Sequence, residues 1–224
     1  MIISVVFTVI GMILSSTLRS KFAKYSDMPL SNNMSGAEIA AAMLRHYGIH
    51  DVDIIQVEGQ LTDHYNPQHK TVNLSYEVYN GRNVAAAAVA AHECGHAVQH
   101  ATAYSMLQMR SALVPIVNVA ASLQQYLFMG ALVGLYFTKQ PVLMLIALGA
   151  FGVTALFSLV TLPVEFDASR RALAWLEQTG ITRGETHDGA KDALKWAAMT
   201  YVSAALAALL QFLYLLLLFF GRRE

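Results

Sequence analysis

Four stretches of this chain carry no charged residue: Met1 to Leu18, Leu113 to Phe137, Pro141 to Leu162 and Thr200 to Phe220. Each is about as long as the ~20 apolar residues a helix needs to cross a bilayer, and a soluble core built from 224 residues has no place for four of them. They predict a mainly α integral membrane protein with four transmembrane helices, at about 1–18, 113–137, 141–162 and 200–220. Polar regions at 19–112 and 163–199 complete a single membrane-embedded domain over 1–224. Charged residues make up 13% of the chain, against roughly 25% in an average soluble domain. Fifteen Lys and Arg balance fifteen Asp and Glu with no basic block, so the electrostatic footprint of a nucleic-acid binder is missing. The single cysteine, Cys94, excludes an intramolecular disulfide.

The first run reads as a retained anchor rather than a cleaved signal peptide. Its amino end is uncharged, its cations Arg19, Lys21 and Lys24 follow the apolar stretch, and Ser15 to Leu18 is a poor cleavage site. Thr138, Lys139 and Gln140 alone separate the second run from the third, which makes those two a hairpin through the membrane. Twelve of the fifteen Lys and Arg lie in the two polar regions, and only Lys139, Arg222 and Arg223 lie beyond them. The excess of cations places both polar regions on the cytoplasmic side.

In the first polar region, Ser35-Gly-Ala-Glu38 reads as a capping box, with Ile39, Met43 and Tyr47 on one face of a short helix that Gly48 ends. Asp53 to Tyr79 is rich in β-branched and aromatic residues and is interrupted by Asn66-Pro67. It predicts two strands joined by a loop, followed by an Asn80-Gly81 turn. From Asn83, a helix is expected over Val84 to about Leu107, opening with a run of alanines that suits either close helix approach or a generic alanine-rich helix. After the third crossing, Pro163 allows a helix restart over Val164 to Leu176, ending near Gly180, and Gly180 to Gly189 is a polar connection.

His92-Glu93-Cys94-Gly95-His96 lies within that alanine-rich helix. Residues four apart stand roughly 6 Å along the axis and nearly on one face, so both imidazoles can share one ion, and zinc is the ion this pattern suits. Glu93, about 100° round from His92, borders the same face and is placed to take a proton from water polarised by the metal. With eight His and eight Glu in the chain, such a pattern arises by chance roughly once in a hundred sequences. A catalytic zinc takes three protein ligands and keeps a fourth position open. His100 lies roughly 12 Å from His92 on a straight helix, too far to join both, which leaves it beside the site or at the surface. Ala97, Val98 and Gln99 continue the helix where a metzincin would turn. Glu165, an acid at the edge of an apolar run, is the better third ligand, because such an acid needs a partner. Asp167 suits a supporting role, orienting a ligand histidine through its free N–H. Arg170, Arg171 and His187 could offer positive charge to a transition state.

With His92-Glu-x-x-His96 and a downstream Glu165, the chain resembles a gluzincin. Leu61-Thr-Asp-His-Tyr-Asn-Pro67, Val72-Asn-Leu-Ser75, Ala90 to His100 and Leu162-Pro-Val-Glu-Phe-Asp-Ala-Ser169 together look like the YugP-like family of neutral zinc metallopeptidases of bacterial membranes. That resemblance implies a gluzincin-like region on the cytoplasmic side of a bacterial cell membrane and one Zn2+ per chain. It also implies His92, His96 and Glu165 as ligands, with Glu93 as the catalytic base. More distant membrane gluzincins have Asp four residues after the ligand Glu, where this chain has Ser169. In gluzincins the strand before the motif helix commonly aligns substrate as an added strand, and Lys70 to Tyr76 is the matching segment here, either offering its edge to substrate or belonging to a hairpin that merely covers the helix.

The function these residues point to is a membrane-integral zinc endopeptidase acting on membrane-proximal or misfolded protein segments, with protein or peptide substrate and lipid bilayer as its partners. A membrane-protein partner or a homo-oligomer is left open. The alternatives are a catalytically silent membrane scaffold that binds peptides or zinc, against which the intact Glu93 speaks, and a zinc transporter. For transport, the four spans carry only amides such as Asn118, Gln124, Gln125 and Gln211.

Overall fold

The computed structural model describes residues 2–133 and 142–221, so the expected hairpin connection at 138–140 lies outside the described residues. Among them are seven helices and one small sheet. Their order is α1 (Ile2–Ser26), α2 (Gly36–His46), β1 (Asp53–Val57), β2 (His64–Asn66), β3 (Thr71–Ser75), α3 (Tyr76–Asn80), α4 (Val84–Ala101), α5 (Ser105–Val133), α6 (Val142–Gln178) and α7 (Glu185–Phe220). Four helical stretches are long and apolar enough to cross a membrane: Ser4–Ser26, Ser105–Gln124, Met144–Gln178 and Glu185–Phe220. The chain divides into two compact units. One comprises residues 1–12, 108–162 and 201–224, and the other residues 13–107 and 163–200.

In the first unit, Met144, Ala147, Phe151 and Leu215 form a small buried cluster, with Phe212 packed against it. Most of the large apolar side chains on these helices stand outward, including Ile116, Val119, Leu145 and Leu217.

The second unit has a closed core. Its α2 starts where the capping box predicts. The Ser35 hydroxyl accepts the Glu38 N–H at 3.2 Å, and the Glu38 carboxylate accepts the Ser35 N–H at 2.7 Å. Ile39 and Met43 are buried beneath it, but Tyr47 is a largely exposed cap residue rather than part of the packed face. The predicted pair of strands is a three-stranded sheet of order β1-β3-β2, with β1 parallel and β2 antiparallel to β3. The Asn66-Pro67 interruption is the turn of the β2–β3 hairpin, where the Asn66 side chain accepts the Gln68 and His69 N–H groups at 2.9 and 3.1 Å. Tyr76–Asn80, expected to close a strand, is instead the single-turn helix α3. Because β3 is central and hydrogen-bonded on both sides, it has no free edge to offer a substrate strand, which excludes the first of the two readings of Lys70 to Tyr76.

The helices depart from expectation in two further places. The helix expected to reach Leu107 stops at Ala101. Ala103 adopts a left-handed conformation with φ of 51°, and the Tyr104 N–H closes on the Gln99 carbonyl at 2.9 Å, so α5 starts afresh at Ser105. An alanine in that conformation carries none of the sequence signal a glycine would give. Conversely, Pro163 does not restart a helix. It sits inside α6, which runs unbroken from Val142 to Gln178. Proline forfeits one backbone hydrogen bond and invites a kink, and the packing along a helix of 37 residues outweighs that. The polar connection before α7 is also shorter than expected, since Glu185 already opens the helix.

Candidate metal centre

α4 is the central helix of the second unit. Asn83 caps it by accepting the Ala86 N–H at 2.9 Å, and the alanines at 85–88, 90 and 91 are all buried. Close approach is therefore the purpose of the small-residue run. On the far side of α4, Gly95 faces Ala168 of α6 so tightly that a Cβ added to it would stand 2.6 Å from the Ala168 carbonyl oxygen. That approach carries Glu165, one turn earlier on α6, onto the two histidines.

Nε2 of His92 lies 3.3 Å and Nε2 of His96 3.6 Å from Oε2 of Glu165, and one ligand atom from each residue lies within 4.8 Å of the others. Tetrahedral ligands about 2.0–2.1 Å from zinc stand roughly 3.3 Å apart, so these two separations suit a single shared zinc ion. The donor set, two imidazoles and one carboxylate, is one that zinc accepts. Glu165 is 3% exposed and His96 is also buried, which keeps bulk water from competing for the ligand atoms. Burial disfavours the imidazolium of His96, but the carboxylates of Glu165 and Glu93 outweigh it and raise its pKa.

A second layer fixes the ring orientations. The Nδ1–H of His96 donates to Oε1 of Gln99 at 3.0 Å, while Nε2 of Gln99 donates to the Val164 carbonyl at 2.8 Å and to Oδ2 of Asp167 at 3.0 Å. Asp167 thus reaches the histidine only through Gln99. It is held in turn by Arg171 at 2.6 Å and by Arg170, which engages these two guanidinium groups with Asp167 rather than with the histidine–glutamate cluster. His92 Nδ1 lies 3.1 Å from Oγ of Ser169, the residue that replaces the Asp of more distant gluzincins. The Gln99 oxygen, which can only accept, holds His96 in the tautomer that leaves Nε2 free for a metal.

Glu93, on the same helix, is buried, and its Oε2 accepts the backbone N–H of Tyr65 in β2 at 3.0 Å. His100 pairs with the Tyr65 hydroxyl at 2.7 Å and stays out of the ligand group. His187 is also apart from the cluster, 3.1 Å from the Thr182 hydroxyl and 3.9 Å from the Glu177 carboxylate. Three contributors were missing from the sequence reading: Gln99 and Ser169 as partners of the histidines, and the Tyr65 backbone as partner of Glu93. Spacing offered a hint for two of them, because Gln99 is three residues beyond His96 and Ser169 four beyond Glu165.

Residues 1–220 match the model of a family described as "Putative neutral zinc metallopeptidase". The chain is 40% identical over 209 residues to the "Putative membrane protease YugP" of Bacillus subtilis (strain 168), an alignment covering 92% of this chain and 90% of that protein. No solved structure matches it.

Proposed function

The chain belongs to the family described as putative neutral zinc metallopeptidases, and from that premise we propose that it is a membrane-integral zinc endopeptidase cutting membrane-proximal or misfolded protein segments on the cytoplasmic side. The observation that carries this reading is the spacing of the three ligand atoms, with Glu93 next to His92 on the same helix. In this reading His92, His96 and Glu165 hold one zinc per chain, and 1–224 acts as one membrane-embedded domain. The outward apolar side chains of α5, α6 and α7 support a lipid surround, since Leu217, for instance, is 72% exposed and in water would form part of a large apolar patch. Glu165 follows the charge-free run 141–162 by three residues, which favours substrates near the bilayer.

When bound, zinc supplies Lewis acidity that polarises the scissile carbonyl and acidifies water. The chain supplies the proton transfers. Oε2 of Glu93 is held by the Tyr65 N–H, which leaves Oε1 to take a proton from the attacking water and deliver it to the departing amide nitrogen. Gln99 and Ser169 keep the imidazole rings aimed, and the buried carboxylate of Glu165 lowers the net positive charge of the site.

The test is elemental analysis of the detergent-purified protein, with peptidase assays on an unfolded protein substrate. Wild type and Glu93→Gln should each carry near one zinc per chain, and His96→Ala and Glu165→Gln should lose most of it. Only wild type should cleave. Zinc unaffected by Glu165→Gln would overturn the ligand set, and undiminished activity in Glu93→Gln would overturn the role of the base.

A further inference from the structure

In the second unit, α6 and α7 are joined by a short connection and flank an open groove of about 490 Å³, of whose lining only Ser169 and Arg170 take part in the site described above. Its floor is apolar, formed by Leu173, Ala174 and Leu194, and Phe166, Ala198 and Met199 line one end. Arg170, Lys191 and Lys195 stand along it. Lys191 and Lys195 are exposed and make no ion pair among the described residues. The one carboxylate in the lining, Glu177, lies at the opposite end, 3.9 Å from Nε2 of His187.

The order of these groups along the two helices is informative. Phe166 and Met199 belong to the ends at which α6 and α7 run on into the charge-free stretches 141–162 and 200–220. Arg170 and Lys195 lie four residues further along, roughly 6 Å, and Lys191 one turn beyond. Apolar side chains followed by cations is the order of an acyl chain followed by a phosphate. The walls are helix flanks whose backbone groups are already bonded within the helices, so the groove has no main-chain partners for an extended peptide. Basic pockets between membrane helices on the cytoplasmic side suit anionic lipid headgroups.

We propose that this groove binds an anionic phospholipid, its phosphate held by Lys191 and Lys195, beside an Arg170 that stays paired with Asp167, and its acyl chain lying on Phe166, Ala198 and Met199. The proposal rests on the membrane-spanning reading given above. Native mass spectrometry of the full chain, titrated with phosphatidylglycerol or with phosphatidylcholine of the same acyl chains, tests it. Each basic residue near an anionic headgroup contributes about fivefold in affinity, so Lys191→Gln/Lys195→Gln should weaken phosphatidylglycerol binding by about 25-fold and phosphatidylcholine, whose phosphate is offset by its own ammonium, by much less. Both positions are exposed, so the variant should fold. Equal affinity of wild type for the two lipids, or an undiminished preference in the double variant, overturns the site. So does full competition by glycerol phosphate, which would mean a site for free phosphate, or by an acidic peptide, which would mean a substrate subsite. Alkaline carbonate extraction separates the two readings. A chain that stays with the membrane pellet but shows no lipid preference refutes this site alone, whereas a released chain refutes the membrane-spanning reading and the site with it.

Discussion

Gly95→Ala adds one methyl group between His92 and His96, the proposed ligands, and the structure sets what it should do. The new Cβ would sit 2.6 Å from the Ala168 carbonyl oxygen and 3.1 Å from its carbonyl carbon and Cα. Ordinary contact begins at 3.4 Å, so α4 and α6 must part there by roughly 0.8 Å, the kind of backbone shift that overpacking forces. The obstacle is backbone, which cannot swing aside as a long side chain would. Alanine gains about 1 kcal/mol over glycine in intrinsic helix propensity, while overpacking costs about 1–3 kcal/mol, so the net stability change is small to moderately unfavourable. The effect on the site is larger. Glu165 moves with Ala168, the ligand edges of 3.3 and 3.6 Å lengthen, and zinc affinity should fall at least as far as it does when an outer partner is lost, about 10–100-fold. Competition with a chromogenic zinc chelator measures this, and circular dichroism checks that the helices persist. Gly149→Ala, where the added Cβ meets nothing within 4 Å, is the matched control and should bind zinc as wild type does. A Gly95→Ala protein holding zinc within twofold of wild type would refute the argument that this approach positions Glu165.

Gln99→Leu leaves the Nδ1–H of His96 without its acceptor and should lower zinc affinity by about 10–100-fold, measured by the same competition. Tyr65→Pro removes the N–H that Glu93 accepts; because that N–H points to Glu93 rather than into the β3 ladder, and β2 is an edge strand, proline is tolerable there. Zinc content should hold while kcat drops about 10–100-fold, short of the 10²–10⁴ that a general base contributes, and lost zinc would refute the separation. Ser35→Ala breaks the capping box of α2 and should cost about 1 kcal/mol in denaturant unfolding, with zinc affinity unchanged in the folded protein. For Asp63, burial raises the carboxyl above its ordinary 3.8 despite the bonds from the Ser75 N–H and hydroxyl. The stability this group contributes is full below about pH 4 and is lost as pH rises through the raised folded value. The Tm of Asp63→Asn should therefore gain on wild type between pH 4 and pH 7, and a constant gap would refute the shift.

What could be read from the sequence was what lies along one element. His92, Glu93 and His96 share a helix, so their relation follows from its pitch, and Glu165 stood out as an acid at the end of an apolar run. Pairing between elements was hidden. The order β1-β3-β2 leaves no mark on residue alternation, and a strand as short as His64–Asn66 has too few residues to show a period, so alternation alone does not tell whether Lys70 to Tyr76 is central or at an edge. Gln99 looks in sequence like one more polar residue in a helix, because its partners Val164 and Asp167 come from α6, and a shared ligand set brings α4 and α6 together without giving the register that Gly95 against Ala168 fixes.

The two requirements of the proposed chemistry rest on different parts of the fold. The ligand triad depends on the distance between α4 and α6, which alanines and one glycine set. Side chains of that size have no rotamers with which to absorb a change, so the spacing is held by backbone against backbone and should be stiff. The base depends on β2, an edge strand of three residues tied to α4 by the Tyr65 N–H on Glu93 and by the Tyr65 hydroxyl on His100. A segment with so few bonds of its own opens more readily than a helix core. A variant that displaces β2 should therefore lose the base without losing the metal, as expected for Tyr65→Pro. Metal content and activity are consequently separate readouts, and loss of one in a variant should not be taken as loss of the other.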